Sequence, residues 1–170
     1  MLALTILGNN SAIPAFGRNP TAQILQTQDD NFLIDCGEGT QLQLAKYKIK
    51  RSKIAAMFIS HLHGDHYFGL IGLLTSMSLL GRTQPIHLFA PTALKQIIDL
   101  QLAVADTTLC YPLHFHELIN EGIIFDEKKI TVECFKVQHR IECWGFIFRQ
   151  KKNLRKINID RANKIGRAHV

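Results

Sequence analysis

The sequence predicts a layered α/β arrangement, a mixed sheet covered by helices. Two observations carry that expectation. Strand-length apolar segments open the chain, alternate with helical segments in the middle, and return as a run of strands towards the end. In addition, "KIAAMFIS" is a continuous apolar run of strand length, the pattern of a strand buried on both faces.

In chain order, "LALTILG" reads as a strand ending at Gly8, followed by a loop rich in turn residues, "NNSAIPAFGRNP". "AQILQT" and "NFLIDCG" are strands separated by the turn "QDDN". "EGTQLQLAKYK" has helical spacing, with Thr40 near its start. After "KIAAMFIS" comes a His-rich loop, then an apolar helix, "YFGLIGLLTSMSLLG", stopped by Gly81. "PIHLFAP" is a strand, and "TALKQIIDLQLAVA" is a helix with Thr92 as its expected N-cap. "LHFHEL", "GIIF", "KITVECFKVQH" and "WGFIFRQ" complete the strands.

Composition excludes several classes. The chain has 170 residues, 46% hydrophobic and 20% charged, which fits one soluble globular domain with a real core. The longest apolar run, Tyr67 to Leu80, is broken by Thr75, Ser76 and Ser78 and is too short to span a bilayer. The N-terminus lacks a basic n-region and a cleavage site, so no secretory signal is expected. Cys36, Cys110, Cys134 and Cys143 form no C-x-x-C pair and read as reduced thiols of a cytosolic protein. The formal charge is +6, concentrated from Arg149 onward, where eight Lys/Arg face one acid, Asp160. A second basic knot, "KYKIKRSK", spans Lys46 to Lys53 and is compatible with a polyanionic partner such as RNA.

The chemistry concentrates in "HLHGDH", three histidines and one aspartate in six residues after the buried strand. In an extended segment His61 and His63 point the same way while Leu62 faces the core. Gly64 is expected to let the backbone turn and bring Asp65 and His66 to the same pocket. Imidazoles and a carboxylate suit zinc or another divalent transition metal. His61 and His63 can share one ion, with Asp65 and His66 turned towards a second. Two such ions stabilise the attacking and leaving oxygens of a phosphodiester, and Asp65 can accept or orient a proton. Asp35, in "DCGEGT", is expected at a strand end as a partner that orients a histidine. Other signals read as structural: "HFHE" (His114 to Glu117) as an ordinary strand face, His87 likewise, and Cys134, His139 and Cys143 as no zinc module.

"HLHGDH", with "LGNNSAIPAFGRNPTA", "LIDCGEGTQLQL", "ISHLHGDHYFGLIGLLTSMSLLGR", "YPLHFHEL" and "FKVQHRIECWGF", resembles ribonuclease Z, the tRNA 3′-processing endonuclease of the metallo-β-lactamase superfamily. The resemblance runs from about Leu4 to about Ile165 and covers the N-terminal half of that family's pattern. It implies the N-terminal half of a metallo-β-lactamase-type αββα sandwich over residues 1–150, with helices on the outer face of a mixed sheet. Residues 151–170 then form a basic C-terminal segment, read as truncated. The other face of the sheet is expected to meet the family's second half and so to leave an exposed apolar surface.

By the same resemblance, His61, His63 and His139 serve a first zinc ion, Asp65 and His66 a second, and Asp65 is the proton acceptor. The implied reaction is metal-hydroxide attack on precursor tRNA just past its 3′ end, in a cytoplasmic homodimer with no membrane attachment. The family's second half carries further ligands, so the 170 residues are expected to be catalytically impaired as they stand. The alternatives are another hydrolase of the superfamily, such as a small-molecule phosphodiesterase, or a non-catalytic metal-binding fragment.

Overall fold

The computed structural model describes residues 2–151. The basic C-terminal segment lies outside the described residues, apart from Lys151. Six strands, β1 (Ala3–Gly8), β2 (Ala22–Gln26), β3 (Asn31–Ile34), β4 (Ile54–Phe58), β5 (Ile86–Ala90) and β6 (Leu113–Glu117), form one sheet in chain order. The first three pair antiparallel and β3 to β6 run parallel, so the sheet is mixed. The parallel crossovers carry the helices: α1 (Thr40–Lys46), α2 (Gly64–Tyr67), α3 (Leu70–Leu79) and α4 (Ala93–Val104). Strands β7 (Gly122–Asp126), β8 (Ile130–Lys136) and β9 (Trp144–Gln150) form a separate antiparallel meander.

Side-chain alternation along the parallel strands builds two cores at once. Leu33, Met57 and Leu88 face the helices and pack with Leu44 of α1, Leu70, Leu73, Leu74 and Met77 of α3, and Leu94 and Ile98 of α4. Phe32, Phe58 and Phe89 face the opposite way, against Ile130, Val132, Cys134 and Trp144 of the second sheet. Every residue of β4 except Ala55 is buried, as its apolar run predicts.

This arrangement corrects the expectation of an exposed apolar face on the main sheet. That face is covered from within the chain, by β7 to β9, because the inward residues of β8 and β9 supply enough apolar surface to close over the phenylalanines. Two local readings also change. Thr92 does not cap α4; it has helical dihedrals, and its hydroxyl donates to Glu117 Oε2 at 3.1 Å. The helix "YFGLIGLLTSMSLLG" breaks at Phe68 and Gly69, leaving α2 as a single turn ahead of α3.

Candidate metal centre

The His-rich loop leaves the C-terminal end of β4, where an open α/β sheet places its sites. Ile59 is fully buried and continues the strand, while Leu62 packs on the helical core and turns His61 and His63 to the other side. Gly64 opens α2 and needs no left-handed backbone; its missing Cβ instead makes room for the Phe68 ring, 2.2 Å from where that Cβ would sit. The turn of α2 then carries Asp65 and His66 round to the loop.

His139 arrives from the second sheet. The segment between β8 and β9 is closed by the Val137 amide donating to the Cys143 carbonyl, 2.9 Å. The Trp144 amide donates to the Ser60 carbonyl, also at 2.9 Å, which fixes that loop beside the histidines. As a result His61 Nε2 lies 3.1 Å from His63 Nδ1, and His139 Nε2 lies 3.3 Å from the same atom. A tetrahedral zinc with nitrogens at about 2.1 Å holds its ligands about 3.4 Å apart, so the donor set fits such an ion. Among the described residues this is the one group of three or more His, Cys, Asp or Glu ligand atoms gathered within 4.8 Å of one another.

His61 and His66 each have an acceptor at the other ring nitrogen, the arrangement that aims a histidine at a metal, whereas His63 meets a donor there. Ser60 Oγ lies 3.0 Å from His61 Nδ1. Arg140 Nη2 donates to His63 Nε2 at 3.1 Å. Asp35 Oδ2 lies 2.8 Å from His66 Nδ1, leaving His66 Nε2 facing Asp65 Oδ2 at 3.5 Å. The orienting role expected of Asp35 therefore has its geometry. Ser60 and Arg140 were not legible as site residues, since a lone serine and an arginine beside a histidine carry no spacing signal. Ser60 matters twice, because its amide and hydroxyl also donate to the Asp35 carboxylate at 2.8 and 3.0 Å.

Burial, reinforced by the charge of neighbouring His66, pushes the His61 pKa down to about 4. His61 is thus neutral at pH 7 and able to ligate. For His66 burial also opposes charge, but the hydrogen bond and charge of Asp35, with Asp65 behind it, prevail and raise its pKa. Asp65 is partly desolvated, yet the Ala12 amide, donating to Oδ2 at 3.0 Å, and His66 hold its pKa below the usual carboxylate value.

The structural readings for the remaining signals fare as follows. Cys134 sits in the inter-sheet core and donates to the Asn120 carbonyl, and all four cysteines are free thiols. "HFHE" is a strand, though His116 meets His87 across it. "KYKIKRSK" covers the end of α1 and the turn into β4, at the opposite end of that strand from the histidines. No helix among the described residues is long and apolar enough to cross a membrane.

The fold is shared with the metallo-β-lactamase fold protein YhfI of Bacillus subtilis, which is 19% identical, at a TM-score of 0.66 over 87% of this chain and 58% of that one. Residues 2–155 match the family model described as "Anti-Pycsar protein Apyc1". The chain belongs to this family of metallo-β-lactamase-fold proteins. The expected kinship with ribonuclease Z is also borne out. The ribonuclease Z of Cytophaga hutchinsonii is 49% identical over 157 residues, 91% of this chain and 50% of that protein. The human short-form tRNase Z is 34% identical and superposes at a TM-score of 0.81, covering 88% of this chain and 65% of that one. The chain spans about half the length of the curated relatives it matches.

Proposed function

We propose that the chain contributes part of the catalytic centre of a zinc-dependent endoribonuclease that removes the 3′ trailer from precursor tRNA. The observation that carries this reading is the convergence of His61, His63 and His139 at zinc spacing, in a chain 49% identical to a ribonuclease Z. When bound, a divalent ion polarises a phosphoryl oxygen and brings the pKa of a water towards neutrality. His61, His63 and His139 would hold one ion; Asp65 and His66 would help hold a second.

The chain's own groups supply the rest. Asp35 and Ser60 keep the ligating nitrogens of His66 and His61 aimed into the site. Asp65, ionised and pinned by the Ala12 amide, orients or accepts a proton of the attacking water. On this reading the complete protein carries two zinc ions, pairs as a homodimer and works in the cytoplasm. The 170 residues alone are impaired, because Asp65 and His66 belong to no group of three candidate ligands among the described residues.

Elemental analysis beside a precursor tRNA cleavage assay tests this. The expected result is that His139→Ala lowers the tightly held zinc by about one ion per chain, and that the intact chain shows little or no cleavage until the other half of a ribonuclease Z is added. An intact chain that retains no zinc overturns it. A second reading is another hydrolase of the superfamily, such as one acting on small phosphodiesters, since the family that matches residues 2–155 is not named for ribonuclease Z. Hydrolysis of a model phosphodiester with none of precursor tRNA would select it. One zinc without either activity, even after complementation, would leave a non-catalytic metal-binding fragment.

A further inference from the structure

A second set of imidazoles lies on the inner face of the main sheet, where β5 and β6 pair. His87 and His114 are register partners, as are Phe89 and His116. Alternation along β6 puts His114 and His116 on one face, and parallel registry puts His87 on the same face. His87 Nδ1 and His116 Nε2 lie 2.9 Å apart, with their rings 18° from parallel. The His114 ring centroid is 5.1 Å from that of His87. His116 stacks on Phe89 at 4.4 Å, and Phe125 of β7 closes on His87 edge-on.

Two imidazoles at this distance share one proton along the line between their nitrogens. A divalent ion can take the place of that proton if the nitrogens open from 2.9 Å to about 3.4 Å, the spacing of tetrahedral zinc ligands. Burial holds both His87 and His116 below the usual imidazole pKa, so both are neutral at pH 7. His114 is exposed on the edge strand, and a third imidazole ligand requires its ring to turn towards the pair by a change of rotamer.

His87 also lines a cavity of about 520 Å³ with Phe125 and Glu127, which gives an ion a route in and offers a carboxylate as further ligand. Of the four cations around that cavity, Lys53, Arg82, Lys128 and Lys129, all but Lys128 are engaged elsewhere. Lys129 pairs with Asp29, Lys53 donates to the Gln28 carbonyl, and Arg82 donates to the carbonyls of Ile54, Gln84 and Pro85.

We propose that His87, His116 and His114 form a second metal site, separate from the His61 cluster, for an imidazole-preferring divalent transition ion such as zinc or nickel. The proposal is independent of the activity assigned above. It is tested on the whole chain carrying His63→Ala, His139→Ala and His169→Ala, dialysed against zinc and analysed for bound metal. About one ion per chain is expected to remain, and to vanish when His87→Phe and His116→Phe are added. No ion in the first variant, with native circular dichroism, overturns the proposal. If that variant does not fold, carbethoxylation of the intact chain decides. Saturating zinc is expected to slow modification of His87 and His116 several-fold, and equal rates with and without zinc overturn the site, leaving two strand-face histidines that satisfy each other.

Discussion

Asp35 has a left-handed backbone, φ 55°, a conformation that costs a non-glycine residue about 1–3 kcal/mol and persists only where its surroundings impose it. Its carboxylate accepts from the Ser60 amide and hydroxyl and faces His66 Nδ1, so the strained residue is also the one that orients a candidate ligand. Asparagine tolerates the same dihedrals, so Asp35→Asn separates charge from backbone. We expect it to weaken zinc binding about 10- to 100-fold by competition titration. Unchanged affinity would remove Asp35 from the site.

The histidines also set a pH dependence for the metal-free chain. His61, His87 and His116 have pKa values lowered in the fold, so the unfolded chain binds more protons. Their stabilisation is complete above the unfolded value of about 6.5 and is lost as pH falls; for His61 the loss extends down to about pH 4. His66, with its raised pKa, acts in the opposite sense and stabilises the fold below about 6.5. His61, brought down to about 4, has the large shift, and His87 and His116 act in the same sense, so the melting temperature is expected to fall on acidification from pH 7 to 4.5, less steeply in His87→Phe.

At the scale of elements, the site depends on how closely the loop after β3 meets the His-rich loop. The Cys36 amide donates to the His66 carbonyl at 2.7 Å, and the Gly69 amide to the Cys36 carbonyl at 2.9 Å. A Cβ on Gly69 would stand 2.2 Å from the Gly37 carbonyl oxygen, a backbone atom that has nowhere to go. Gly69→Ala should therefore destabilise the fold by about 1–3 kcal/mol in urea unfolding. It should also reduce zinc affinity, since Asp35 is held by the same loop. Loss of stability with zinc affinity intact would separate the break before α3 from the site.

Across the whole molecule, Phe58 joins the two sheets. Its ring is fully buried, stacked on Phe89 at 5.0 Å and packed against Phe125, Phe146 and Phe148 of the meander. Because the second sheet also brings in His139, inter-sheet packing and the candidate centre are one structural unit. Phe58→Ala is expected to cost about 3–5 kcal/mol and to weaken zinc binding along with stability. The basic knot lies at the far end of β4. Neutralising Lys48, Lys50 and Arg51 should therefore spare zinc affinity while flattening the salt dependence of the proposed RNA binding; an unchanged slope would exclude these residues from the RNA path.

The sequence alone determined the strands, the helical segments and the ligand-rich loop, because each is written in local terms: alternation, apolar run length, and histidines two residues apart beside a buried strand. Asp35 was legible for the same reason, as a carboxylate at a strand end. What covers Phe32, Phe58 and Phe89 was not legible, because one strand's inward face does not say which sheet it meets. His139 came from family resemblance, and only the fold shows how it reaches His63, through a hydrogen bond from Trp144 to Ser60 that joins residues distant in sequence. Ser60, Arg140 and the pairing of His87 with His116 were likewise decided by tertiary structure. Periodicity encodes the face a side chain takes, whereas a metal cage depends on separate elements meeting within a few tenths of an ångström, which packing alone sets.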